Sequence, residues 1–199
     1  MTVGSTDLAT TGASLAQSVV CSVLWALALS GDLRRRRVPL SVLLALILLA
    51  LIGQTWPWWV LTGTLVLWPG RRSISVLAPV AIGVGAVAGE PIQALVLAAG
   101  ALAWGLNWWG GADSIALIAL GLRHGVSGLI AGTAAVTLMG IVIMTVRRRS
   151  LAGILSTLPD AINLQPRDTP EIPADAEMPA AAALAVAGLV LELARLPIW

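Results

Sequence analysis

The chain has 199 residues, of which 58% are apolar and 11% are charged, and its formal net charge at pH 7 is +2. Because soluble domains carry about 25% charged residues, this composition excludes an ordinary soluble class and is typical of a polytopic membrane protein. The arginines stand in short clusters between apolar runs, which argues against a nucleic-acid partner, and the single cysteine excludes an internal disulfide and a Cys-x-x-Cys metal site.

Eight apolar runs follow one another along the chain. They cover about residues 12–31, 38–54, 58–69, 74–89, 91–108, 114–122, 126–146 and 180–197. A bilayer core about 30 Å thick needs about 20 apolar residues per helix, so the short third and sixth runs extend into flanking residues, dip as re-entrant elements or merge with neighbours. We predict an all-α, polytopic transmembrane helical bundle of roughly six to eight spans, forming a single domain over residues 1–199.

A Pro-rich segment separates the last two apolar runs. Residues 150–179 contain five prolines and five acidic residues and hold no continuous apolar run. We predict that this segment is a cytoplasmic loop, in which residues 151–158 could form a short surface helix before an extended remainder.

The arginines also predict the direction of each crossing. With the N-terminus outside and all eight runs crossing, ten arginines fall on the cytoplasmic side and only Arg123 and Arg195 fall outside. The same alternation places four crossings between Asp32 and Asp113, so both aspartates are predicted at the cytoplasmic face of the plasma membrane. Tryptophans at the predicted boundaries are expected to be interface anchors. These are Trp56, Trp58 and Trp59 at the outer boundary and Trp108 and Trp109 at the inner boundary.

Asp32 and Asp113 each close an apolar run, where a carboxylate is costly. On insertion scales a charged residue at a helix centre costs about 2.5 to 3.5 kcal/mol, so a pair at the membrane edge indicates a function. Two structural alternatives stay open. Asp113 could be the N-cap of a helix that begins at Ser114, and Asp32 could form an interfacial ion pair with the neighbouring arginines.

Two carboxylates on one membrane face can act together as an aspartyl-protease dyad. When they approach within a few ångströms, mutual repulsion favours a state in which they share a single proton. The ionised member then takes a proton from a bound water, and the protonated member hydrogen-bonds the scissile carbonyl. No metal and no cofactor are expected. The sequence holds no Gly-x-Ser-x-Gly or His-Glu-x-x-His pattern of the competing hydrolase classes.

The residues around both aspartates form two short motifs. The first runs from Asp32 through four arginines to Val38-Pro39, and the second is Gly110-Gly111-Ala112-Asp113. Together they resemble the two signature regions of prepilin peptidases, the membrane aspartyl proteases with a Gly-x-Gly-Asp motif. The resemblance implies that Asp32 and Asp113 are catalytic and that Gly110, Gly111 and Ala112 are active-site backbone support.

The chain departs from the family pattern at three positions: Ala112 replaces the second glycine, Leu40 replaces a common asparagine and Ile115 replaces a frequent lysine. Alanine adopts positive φ less readily than glycine, so either position 112 has ordinary dihedrals or the geometry of the site is altered. The Cys-x-x-Cys pairs that accompany an N-terminal methyltransferase region in many relatives are missing. The chain therefore resembles the peptidase-only forms.

The resemblance implies removal of a short basic leader from type IV pilin-like or archaellin-like precursors, and the substrate is itself embedded in the lipid bilayer. Two alternatives stay open. The chain could be a proton- or cation-coupled small transporter or channel whose path is lined by the aspartates, or an inactive peptidase-like scaffold for pilus assembly.

Other polar residues have simpler expected roles. Cys21 is expected to pack in an apolar run, and His124 is expected to be solvated in a loop. Glu192 and Arg195 stand three residues apart near the end of the last run and are expected to pair with each other.

Overall fold

The structure is a computed structural model that describes residues 4–35, 38–67, 71–106, 110–146 and 180–196. Within these ranges the chain forms eight α-helices and one 3-10 helix and contains no β-strand. The predicted all-α class is therefore confirmed. The predicted loop at 150–179, the possible short helix at 151–158, and Trp108 and Trp109 lie outside the described residues.

Most helices match the predicted apolar runs, but the first helix begins eight residues before its run, and the fourth run is divided between a 3-10 helix and an α-helix. In chain order they are α1 Gly4–Arg35, α2 Leu40–Leu51, α3 Trp56–Leu67, the 3-10 helix Arg71–Val76, α4 Leu77–Ala88, α5 Pro91–Gly105, α6 Gly111–His124, α7 Val126–Val146 and α8 Ala180–Leu193. The sixth run was predicted to be too short alone, and α6 does extend it on both sides, to 14 residues. Pro91 opens α5 at its first position, where a missing N–H leaves no intrahelical bond unmade.

One helical segment of the described chain, Ala13–Arg34, is long and apolar enough to cross a membrane by itself. It has 22 residues and lies near the N-terminus. Five further apolar helices of 10 to 17 residues are shorter than this limit. The count of six to eight spans therefore stays a prediction.

Polar contacts between distant residues fix how the helices alternate. Gln54, just after α2, donates a hydrogen bond to the Leu122 carbonyl near the end of α6 at 3.1 Å. Arg123, at the end of α6, contacts Glu192 near the end of α8 at 3.0 Å and Ser18 in the first half of α1 at 3.3 Å. We call this end of the bundle the polar end. Helices α2, α6 and α8 run towards it, whereas α1 runs away from it.

Helix α6 is the central element of the bundle. It packs on α2, α5, α7 and α8, and every residue from Ser114 to Leu122 is buried. Helix α1 packs mainly on α8 and α2. Helices α2 and α8 therefore each contact both α1, which carries Asp32, and α6, which carries Asp113.

Helix α2 is apolar on its outer face as well as on its inner face. Leu43, Leu46 and Ile47 are buried, whereas Leu44 and Leu48 are exposed. Helices α1, α4, α5 and α7 also expose large apolar side chains. A helix that is apolar all round is typical of a buried core or a membrane span.

The turn between α6 and α7 depends on two glycines. Gly125 has a φ of 65°, and a methyl group on Gly128 would overlap the Leu120 carbonyl oxygen. We expect Gly128→Ala to lower the free energy of unfolding by about 1 to 3 kcal/mol, because the backbone of one helix must shift. Gly83→Ala is the matched control, since a methyl at Gly83 in α4 meets open space.

Thermal unfolding of both variants in detergent tests this packing. Gly83→Ala should match or exceed the wild type, because alanine favours a helix by about 1 kcal/mol over glycine. An equal melting temperature for the two variants would contradict the close approach of α6 and α7.

Candidate functional site

Asp32 lies near the end of α1 and is buried, with 7% of its surface exposed. Its Oδ2 atom accepts a hydrogen bond from the backbone N–H of Ala182 in the first turn of α8, at 2.8 Å. The first N–H groups of a helix have no intrahelical acceptor, so a carboxylate at this position satisfies one of them and interacts favourably with the helix dipole. Asp32 thus faces α8, while the neighbouring Arg34 is exposed; the alternative of an interfacial ion pair with Arg35, Arg36 or Arg37 falls on side chains outside the described part of the chain.

Asp113 is the third residue of α6 and is partly buried. The N-cap of α6 is Gly110, and the cap makes no side-chain hydrogen bond. The alternative that Asp113 is an N-cap residue before a helix starting at Ser114 is therefore wrong. Asp113 instead stands within the first turn, where the helix dipole favours a negative charge.

The three residues before Asp113 have ordinary backbone dihedrals. Gly110 has a φ of −65°, and Gly111 and Ala112 are the first two residues of α6. A methyl group on Gly110 would lie 3.2 Å from the Asp113 Oδ2 atom, and one on Gly111 would lie 3.1 Å from the Trp104 ring. Glycine is thus used at 110 and 111 for close approach, whereas position 112 is helical and accommodates alanine without strain.

The two aspartates lie at the same level of the bundle. Asp113 precedes Arg123 by ten residues in α6, and Ala182 precedes Glu192 by ten residues in α8. At a rise of 1.5 Å per residue, both lie about 15 Å from the Arg123–Glu192 contact. Because α6 and α8 run in the same direction, Asp113 and the Asp32–Ala182 hydrogen bond share one end of the bundle, which we call the aspartate end.

A second polar cluster, at the polar end, was not foreseen from the sequence. Glu192 is fully buried at 0% exposure, and Arg123 donates to it from Nε at 3.0 Å and from Nη2 at 3.5 Å. The expected Glu192–Arg195 pair is wrong, because Arg195 instead donates to the Arg123 carbonyl at 3.3 Å. His124 was expected to be solvated and is buried, with Nε2 at 3.2 Å from Glu192 Oε1, outside hydrogen-bond alignment. Cys21 is buried, as predicted.

One signal in the sequence could have revealed this cluster. Glu192 is the only acidic residue in the last apolar run, and Arg123 is one of two arginines predicted outside. A buried carboxylate needs a cationic partner. Apart from Arg195, the only arginine predicted on the outer face was Arg123, which lies 69 residues from Glu192 in the sequence.

The predicted tryptophan anchors at the outer boundary divide into two kinds. Trp56 is 76% exposed and Trp59 is also exposed, as an interface residue would be. Trp58 is fully buried and donates its Nε1 proton to Glu90, which also accepts from Thr55 Oγ1 at 3.2 Å. The prediction for Trp58 is therefore wrong, because the indole joins α3 to the residue that precedes α5.

In the part of the chain that the structure describes, no group of three or more His, Cys, Asp or Glu side chains could hold a metal ion. The prediction that the site needs no cofactor stays a prediction. Chemically, the aspartate end offers two carboxylates, one buried against backbone and one partly open.

Comparison of the chain with known protein families, with curated proteins and with solved structures finds no match. The resemblance to prepilin peptidases therefore rests on the two sequence motifs.

Proposed function

We propose that this chain is a membrane aspartic endopeptidase that removes the short basic leader from type IV pilin-like or archaellin-like precursors, with Asp32 and Asp113 as its catalytic residues. The observation that carries the proposal is the common level of the two aspartates at one end of the bundle, within the two motifs that resemble prepilin peptidases. Helices α2 and α8 contact both of the helices that carry them.

A multi-pass location in the plasma membrane is part of the proposal. Apolar side chains on the outer faces of several helices support it, since Leu44, Leu48 and Ile82 are exposed on surfaces that water would solvate poorly. The arginine distribution supports an N-terminus outside and the aspartate end at the cytoplasmic face. Six to eight spans are proposed on the same basis.

The proposed reaction uses the two carboxylates with one shared proton. The ionised carboxylate takes a proton from water as its oxygen attacks the scissile carbonyl carbon, and the protonated carboxylate hydrogen-bonds the carbonyl oxygen. The tetrahedral intermediate collapses when the C–N bond breaks, and the carboxyl group that took the proton from water gives it to the leaving nitrogen. Gly110 and Gly111 support this geometry by allowing close approach to Asp113 and to Trp104.

The proposed substrate is a membrane-bound precursor whose apolar helix lies beside the bundle. Its leader junction would then stand at the membrane surface, at the level of Asp32 and Asp113. A basic leader suits a site that contains two carboxylates. The bilayer and the precursor are the proposed partners, and no nucleic acid is involved.

Cleavage in membrane vesicles tests the function. The chain is co-expressed with a leader-bearing pilin-like precursor that carries a tag at each end, and the products are separated by mass. The proposal predicts one cut immediately before the apolar helix of the precursor. An intact precursor beside correctly inserted wild-type chain would contradict it.

A transporter remains the second candidate, because ionisable residues are buried at both ends of the α1–α8 pair, Asp32 at one and Glu192 at the other. Between these residues, however, the pair is densely packed, with Trp25 lying against Gly188 and Leu184 fully buried. Proton and cation flux into liposomes discriminates the two functions. An ion gradient that collapses with the wild type and persists with Asp32→Asn would favour transport.

An inactive scaffold would instead support pilus assembly with both aspartates replaced.

The alanine in the second motif should have little effect on the reaction. Because position 112 is helical, we expect Ala112→Gly to leave cleavage within about twofold of wild type and to lower stability by about 0.5 to 1 kcal/mol through the backbone entropy of glycine. Initial cleavage rates and thermal unfolding measure the two effects. A gain in rate of tenfold or more would show that a glycine conformation is needed at this position.

A further inference from the structure

Three residues from three helices form a buried contact at the polar end. Arg123 of α6 donates to Glu192 of α8 at 3.0 Å and to Ser18 of α1 at 3.3 Å. Glu192 is fully buried, Ser18 is buried, and the Arg123 side chain is 15% exposed. We call Ser18, Arg123 and Glu192 the clasp.

The clasp joins the three helices that carry the groups of the aspartate end. Helix α1 carries Asp32, α6 carries Asp113, and α8 supplies the Ala182 N–H that holds Asp32. An α-helix is a nearly rigid rod over the 15 Å or so that separates the two ends. The position of α6 relative to α1 and α8 at the polar end therefore constrains where Asp113 stands relative to Asp32.

The clasp adds a direct polar tie between α6 and α1 to the packing of α6 on α8 and α2. Helix α1 packs mainly on α8 and α2, whereas α6 packs on α2, α5, α7 and α8. Arg123 donates to side chains of both α1 and α8, so it ties α6 to the α1–α8 pair. Glu90, another carboxylate of the polar end, binds Thr55 and Trp58 and lies outside this tie.

We propose that Arg123 and Glu192 are positioning residues. Although they lie at the opposite end of the bundle, they set the distance between Asp32 and Asp113. The kinetic part of this inference rests on the proposed function, because it assumes that the two carboxylates act on one peptide bond. A misplacement of about 1 Å can lower a rate by up to about 100-fold. Loss of the clasp should therefore lower kcat more than it changes KM.

Cross-linking with reagents of graded length measures the distance between positions 32 and 113 and requires no enzymatic activity. Asp32 and Asp113 are replaced by cysteine in a Cys21→Ser background, and the pair is cross-linked in membranes with thiol reagents of graded length. Adding Glu192→Gln should lower the yield at the best length by about threefold and spread the reaction over other lengths. Exchange of the two charges, Arg123→Glu with Glu192→Arg, should restore the narrow profile. An unchanged profile with Glu192→Gln would overturn the proposal.

Kinetics provide the second measurement. Glu192→Gln, with both aspartates intact, should lower kcat by about tenfold per folded molecule and leave KM within about twofold, whereas the matched control Glu90→Gln should leave both unchanged. An unchanged kcat for Glu192→Gln would overturn the positioning role. If the wild type itself leaves every precursor intact, the proposed function fails, and the cross-linking profile alone decides the role of the clasp.

Discussion

Arg123→Met should lower the free energy of unfolding by about 3 to 5 kcal/mol, because removal of one partner from a buried ion pair leaves an uncompensated charge. The charge left behind is the Glu192 carboxylate, which is fully buried and lies 3.0 Å from Arg123 Nε. His124 Nε2 also lies 3.2 Å from the same carboxylate and, when protonated, offsets part of the lost interaction, so the loss is expected at the lower end of this range. Denaturant unfolding in mixed micelles measures the effect.

Two control variants distinguish the effect of an unpaired buried charge on stability from the effect of removing any arginine. Arg123→Met combined with Glu192→Leu removes both charges and should recover most of the lost stability, since an apolar pair of similar size often equals a buried ion pair. Arg195→Met alters an exposed residue whose guanidinium donates to a carbonyl, and should change stability by about 0.5 kcal/mol or less. If Arg123→Met were as mild as Arg195→Met, the Glu192 carboxylate would not depend on Arg123.

Asp32→Asn and Asp113→Asn should each lower the rate of leader cleavage by about 10² to 10⁴-fold, the usual contribution of a general acid or base. An amide neither takes a proton from water nor gives one to the carbonyl oxygen. Because the two carboxylates act as one unit, the double variant should be little slower than the slower single variant. Initial rates in vesicles measure all three.

The choice of substituent at Asp32 separates catalysis from folding. Asparagine keeps an oxygen that can accept the Ala182 N–H, so Asp32→Asn should fold as the wild type does. Asp32→Ala leaves that buried donor without its acceptor, which costs about 1 to 3 kcal/mol. Equal stability of the two variants would show that the hydrogen bond to α8 contributes nothing to folding.

The sequence was sufficient for most of the helices and for the opposite direction of α1 relative to α2, α6 and α8. Long apolar runs bounded by Pro39, Gly89 and Gly125 predict where helices begin and end. Proline restricts φ before the start of α2, and Gly89 and Gly125 adopt the positive φ that ends a helix. Helix α6 begins before the short sixth run, at Gly111. The apolar pattern did not show this start, because Gly111, Ala112 and Asp113 are small or polar. The all-α class followed from these local signals.

The polar pairing could not be predicted in the same way. The i,i+3 rule favours Glu192 with Arg195, but burial decides the pairing, and only packing of α6 against α8 brings Arg123 to the carboxylate. Trp58 was likewise predicted to be an interface anchor from its place in the sequence, but its indole is buried and donates a hydrogen bond to Glu90. Contacts between residues far apart in the chain depend on tertiary packing, which local spacing does not contain.

The most direct test of the central claim compares purified wild type, Asp32→Asn and Asp113→Asn in liposomes with one leader-bearing precursor, and follows the intact masses of the products over time. We expect the wild type to release the leader by a single cut before the apolar helix, and each single variant to leave the precursor intact on the same time scale. Complete leader removal by either asparagine variant would contradict a mechanism in which both aspartates act on the same bond.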